Sequence, residues 1–205
     1  MKKSFFICAA ALLFSSAATR EARADNELTF VLGAGFGGDF NVLTDPNLDL
    51  TAAFQNSPIY GIRVGKYGFP FGFEGSLTFN PSSVVGAAFN QELAANLLYA
   101  EANVLFIVLP GPISPFVTGG IGLHYVDINL ADFLSLSNAK FGWNFGGGIK
   151  FNISRLVLRF DVRDHVTTFG LDDFGLGTIG NLIGLTNPEA RVHNVEASVS
   201  VGIRF

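Results

Sequence analysis

Eight stretches of this chain alternate bulky apolar residues with glycine or small polar ones, and that period of two points to an all-β fold. Successive side chains on a strand face opposite ways, so each stretch presents one bulky face and one slim face. The first stretch sets Leu28, Phe30, Leu32, Ala34 and Phe36 against Thr29, Val31, Gly33 and Gly35. The pattern returns over residues 60–65, 71–79, 98–106, 117–125, 141–151, 155–163 and 194–205.

Composition decides which face points inward. Charged residues make up 15% of the chain, against ~25% in a soluble globular domain. That argues against an ordinary soluble enzyme, a disordered tail and a nucleic-acid binder. The chain holds 24 glycines. Glycine weakens a strand and is a poor choice for a solvated face, but it suits the narrow lumen of an eight-stranded barrel. The bulky face then meets lipid, where only a closed barrel pairs every backbone group of an all-β chain. Beyond the first 24 residues no run of ~18 apolar residues occurs, which excludes a spanning helix.

The expected fold is therefore an eight-stranded, antiparallel, up-and-down transmembrane β-barrel. Short connections fall at 67–70, 110–114 and 152–154, and long ones at 39–58, 80–91, 129–138 and 167–190. Outer-membrane barrels alternate short periplasmic turns with longer extracellular loops in this way. Tyr60, Phe69, Phe71, Tyr99, Phe116, Tyr125, Trp143 and Phe205 are expected to form aromatic girdles at the membrane interfaces.

Residues 1–24 read as a secretory signal peptide: Lys2 and Lys3, an apolar or small run over 5–18, and Ala22-Arg23-Ala24 before the cleavage point. The barrel domain is then 25–205, exported to a Gram-negative outer membrane. The single cysteine, Cys8, falls in the signal, so no disulfide is expected in the barrel. Removing 1–24 takes four of the 13 basic and one of the 17 acidic residues, leaving an acidic excess of seven. Nucleic acid is not an expected partner of such a chain.

The last strand ends Val199-Ser200-Val201-Gly202-Ile203-Arg204-Phe205, apolar at alternate positions with a terminal phenylalanine. It resembles the assembly signal of Gram-negative outer-membrane proteins. The tract Ser114-Pro115-Phe116-Val117-Thr118-Gly119-Gly120-Ile121-Gly122, and 145–151 followed by 158–165, resemble small barrels of the OmpA/OmpX-like type, in a family with no assigned activity. The resemblance covers the whole of 25–205. It implies partners in outer-membrane lipid and lipopolysaccharide, and in the assembly machinery through Phe205.

The slim face carries the candidate site. Arg63, Lys150, Arg155, Arg159, Arg163 and Arg204 face inward with Glu74, Glu101, Asp161 and Glu196, a small positive excess. Setting Lys66 opposite Phe71 across the 67–70 turn places Arg63 opposite Glu74; the same reasoning sets Glu101 opposite His124 and brings Arg163 near Glu196. A buried charge must be paired, so this network reads as a plug; the other reading is a narrow pore favouring anions.

The last loop is the second candidate, as an apolar surface with Phe169, Leu171, Phe174 and Leu182 beside Asp172 and Asp173, facing an unidentified surface partner. Asp39, Asp45 and Asp49 in the first loop lack the spacing of a calcium loop. His124 with Asp127, or His165 with Asp172 and Asp173, can be drawn as acid–base pairs, but no motif of a lipid A deacylase accompanies them. The expectation is no enzyme, no cofactor and no metal. The role expected is structural or surface-interactive, with a porin-like channel as the alternative and a lipid-modifying enzyme as a remote one.

Overall fold

A computed structural model describes residues 25–45, 48–86, 89–131, 134–169 and 190–205. Residues 1–24 and 170–189 lie outside the described residues, and with them the segment expected to be a signal peptide and Leu171, Asp172, Asp173, Phe174 and Leu182. The strands are β1 (Asp25–Phe36), β2 (Asp39–Asp45), β3 (Leu48–Phe54), β4 (Ser57–Tyr67), β5 (Phe71–Gly86), β6 (Phe89–Ile107), β7 (Ile113–Ala131), β8 (Leu134–Ile153), β9 (Leu156–Phe169) and β10 (Ala190–Arg204). β1, β4, β5, β6, β7, β8, β9 and β10 pair in that order, and β10 returns to β1, closing an antiparallel barrel. β2 and β3 prolong β1 and β4 as a hairpin, and β3 also pairs with β5.

Much of what reads as long loop is paired strand. β5 runs to Gly86 before β6 resumes at Phe89, and β7 runs to Ala131 before β8 resumes at Leu134. A bilayer crossing needs about 9–11 tilted residues, whereas β8 has 20. The surplus extends at the end opposite Asp25 and Phe205, here called the mouth. There neither face meets lipid, so backbone pairing continues without the bulky alternation that marks the membrane segment.

The first and last described residues lie together at the base. The Asn26 amide donates to the Phe205 carbonyl at 3.1 Å, and the Phe205 amide to the Asn26 carbonyl at 2.9 Å. The short turns share that end. Gly111 adopts φ 141°, a region that favours glycine. Its carbonyl accepts from Ser114 Oγ and Asn152 Nδ2, both at 2.9 Å, which ties the β6–β7 turn to β8.

The two faces separate as the alternation requires. Phe30 and Phe141 are 63% and 65% exposed on the outer wall, while Arg63 and Arg159 are 1% and 0% exposed inside. Two of the expected girdle aromatics are in the lumen instead. Tyr99 and Phe116 are buried, since they share strand parity with Glu101 and Ser114, and parity outranks nearness to a strand end. Phe69 packs against a buried cluster of Tyr67, Leu105, Ile107 and Phe116.

Two registers differ from expectation by two residues. The Gly68 amide donates to the Phe71 carbonyl at 3.1 Å, so the β4–β5 turn is tighter than 67–70. Lys66 therefore pairs with Phe73, and Arg63 with Ser76. Across β6–β7, Tyr99 rather than Glu101 lies opposite His124. A shift of two keeps every side chain on its face. The expected partners remain diagonal neighbours, with Arg63 Nε 3.9 Å from Glu74 Oε1 and His124 Nε2 3.0 Å from Glu101 Oε1.

Candidate functional site in the barrel lumen

The lumen is filled in layers from the base. The Tyr67, Leu105, Ile107 and Phe116 cluster comes first. Above it Lys150 Nζ donates to Glu27 Oε1 and Oε2 at 2.8 and 2.9 Å and lies 3.8 Å from the Tyr67 ring centroid.

Next comes a layer of interlocked ion pairs drawn from four strands, β4, β5, β9 and β10. Arg63 on β4 reaches Asp161 on β9 at 3.0 Å and Glu196 on β10 at 2.5 Å, and donates to Ser200 Oγ at 3.0 Å. Glu74 on β5 accepts from Arg159 at 2.5 Å and Arg163 at 2.6 Å, and from the Tyr67 hydroxyl. Asp161 also accepts from Arg159 at 2.7 Å and lies 3.4 Å from Arg163. Arg159 is further held 4.4 Å above the Phe116 ring. Charges taken out of water need such partners, because breaking a buried pair leaves its mate uncompensated.

Toward the mouth, Glu101 on β6 accepts from both His124 Nε2 at 3.0 Å and His165 Nδ1 at 2.8 Å. His165 Nε2 lies 3.2 Å from Glu196 Oε2, so this histidine donates to a carboxylate from each nitrogen. His124 Nδ1 lies 2.5 Å from Thr167 Oγ1. Tyr99 stacks on the His165 ring with centroids 4.4 Å apart. Beyond it the inner face carries buried Ile59, Leu97, Val126 and Val192 together with the polar Asn80 and Thr167. Glycine makes these approaches possible: a Cβ at Gly142 would meet the His124 ring, and one at Gly120 the Asn103 amide.

The structure thus brings together Arg63, Glu74, Glu101, His124, Lys150, Arg159, Asp161, Arg163 and Glu196. Arg163 and Glu196 are opposite in register, but their charges go elsewhere: Arg163 to Glu74 and Asp161, Glu196 to Arg63 and His165. Two expected members are outside. Arg155 is exposed in the β8–β9 turn, and Arg204 pairs with Asp25 at 3.4 Å at the base. Glu27 takes a place inside instead. Among the described residues, Arg63, Lys150, Arg159 and Arg163 therefore face Glu27, Glu74, Glu101, Asp161 and Glu196. Among the buried described residues there is therefore no positive excess.

Of the acid–base pairs drawn for the histidines, His124 turns to Glu101 and Thr167 rather than Asp127; His165 meets Glu101 and Glu196, while Asp172 and Asp173 lie outside the described residues. Glu27, Tyr67, Asn103, Asn144, His165 and Thr167 are inner-face members that the sequence reading left out of the network. Glu27 and His165 each lie two residues beyond a recognised inward position, Thr29 and Arg163, so carrying the parity one step further finds both.

Comparison with known proteins agrees with this architecture. Neisserial surface protein A superposes with a TM-score of 0.57 at 12% identity, covering 91% of this chain and 100% of that one. The N-terminal β-barrel domain of Pseudomonas aeruginosa OprF gives 0.44 at 14% identity, covering 89% and 100%. No curated protein matches. The outer membrane protein beta-barrel domain matches residues 6–205, so this closed barrel with its lipid-facing apolar wall belongs to that family and resides in the outer membrane.

Proposed function

We propose that this protein is an occluded barrel with a structural and surface-interactive role, which holds its loops at the cell surface and supports the envelope. The observation that carries the reading is the series of buried groups along the lumen, from the apolar cluster at the base through the ion pairs to Ile59, Leu97, Val126 and Val192 toward the mouth. A water-filled channel needs an open polar path. Here Arg63, Glu74, Arg159, Asp161 and Arg163 spend their charges on one another.

The partners proposed follow from the two ends. The outer wall is solvated by lipid, and the mouth meets lipopolysaccharide together with a surface partner of the apolar residues 169–185. At the base Phe205 is 69% exposed, available to the assembly machinery. The reading assigns no catalytic step.

Planar-bilayer recording from the folded barrel tests it. No discrete conductance steps are expected, and Arg63→Ala is expected to lower unfolding stability rather than to change current. Reproducible ohmic steps from the unaltered barrel would overturn the occluded reading in favour of a narrow channel.

A further inference from the structure

We propose that Glu101, His124 and His165 form a site inside the lumen for one divalent transition-metal ion, zinc in first place. One donor atom from each of the three lies within 4.8 Å of the others, and all three residues are buried. Glu101 Oε1 is the centre of the group, 3.0 Å from His124 Nε2 and 2.8 Å from His165 Nδ1. Zinc bonds of about 2.0–2.2 Å set tetrahedral donors roughly 3.3 Å apart, so the two separations from Glu101 must open by a few tenths of an ångström to admit an ion, a small movement from the hydrogen-bonded arrangement.

The donor types point to the metal class. Two borderline imidazoles beside one carboxylate favour zinc and its neighbours over calcium or magnesium, which take oxygen ligands. Three protein ligands leave the fourth tetrahedral position for water or for Glu101's second oxygen.

The surroundings supply an independent observation. A metal-binding histidine usually has its other ring nitrogen fixed by a partner, which sets tautomer and orientation. Here Thr167 Oγ1 meets His124 Nδ1 at 2.5 Å, and Glu196 Oε2 meets His165 Nε2 at 3.2 Å. Tyr99 stacks on one ring and meets the other edge-on, with its centroid 4.8 Å from that of His124. Each imidazole is thus held from behind with its remaining nitrogen turned toward Glu101.

Protons balance across the exchange. His165 loses its Nδ1 proton to solvent and keeps Nε2–H on Glu196. His124 moves its proton from Nε2 to Nδ1, where Thr167 Oγ1 accepts it. One proton leaves as one dication enters. The site lies inside a packed lumen, so loading is expected during folding, or slowly afterwards.

The test is to refold the barrel with zinc chloride, remove free metal and measure bound zinc. One ion per barrel is expected in the unaltered protein and in His193→Gln, which removes the remaining histidine of the chain. At least a tenfold loss of affinity is expected in His124→Gln/His165→Gln. No bound zinc in the folded barrel, or undiminished binding in the double variant, overturns the proposal. Where the double variant does not fold, X-ray absorption of the zinc-loaded unaltered barrel decides, with two imidazoles expected and one or none contradicting the site.

Discussion

The outer wall and the lumen of this barrel are built from the same strands on opposite logic. On the wall, Phe30, Leu32, Phe73, Ile121, Phe141 and their neighbours face lipid, and each side chain repeats what the next one does. Specific contacts there are few, such as the Phe71 and Phe106 rings 5.6 Å apart. In the lumen no side chain is replaceable by its neighbour. Arg63 holds groups on β9 and β10, and Glu74 holds Arg159 and Arg163 at once. A wall of equivalent parts loses stability by increments, whereas a network of unique parts fails together.

The largest effect is expected where the network is cut. Glu74→Gln keeps the shape of the side chain but leaves Arg159 and Arg163 with Asp161 as their remaining carboxylate. Removing one partner of a buried pair costs about 3–5 kcal/mol. Urea unfolding in lipid vesicles should register that loss. Adding Arg163→Gln to the first change should recover part of it, because charge balance is restored. Additive losses would show that the pairs act independently and that the contrast with the wall is false.

The converse experiment brings a charge to the wall. Ile121 lies midway along the apolar stripe of β7 and is 55% exposed. Ile121→Arg should cost about 2–4 kcal/mol, the price of an arginine near the bilayer midplane. The same unfolding assay reads it, and a negligible effect would place Ile121 outside the hydrocarbon region.

The contrast also explains what could be read from sequence. The wall was legible because lipid imposes one requirement on every outward position, so alternation survives in eight segments. The inward set was legible as a set, because parity alone assigns a face. Its pairing was not, since pairing depends on turn geometry: the Gly68–Phe71 hydrogen bond tightens one turn and moves Arg63 from Glu74 to Ser76. Glu27, whose partner Lys150 lies 123 positions away in sequence, entered the lumen unseen. Barrel closure brings β1 and β8 side chains together across the lumen although the strands are not neighbours in the sheet, and no local pattern carries that.

The smallest expected effect separates the two faces most finely, with one methyl group. Gly119 and Gly142 both lie in the membrane-spanning sheet, on opposite faces. An added Cβ at Gly119 finds its nearest atom, the Asn144 carbonyl oxygen, at 3.7 Å, an ordinary contact. At Gly142 it enters the space of the His124 ring. That ring has little freedom to retreat, being held by Glu101, Thr167 and Tyr99. Gly142→Ala should therefore cost about 1–3 kcal/mol as an overpacked core position, and Gly119→Ala should fall within about 0.5 kcal/mol of the unaltered barrel. Equal losses at the two sites would mean that glycine is required for the backbone of this sheet as such. Unequal losses in the stated order would mean that it is required where the lumen has been filled.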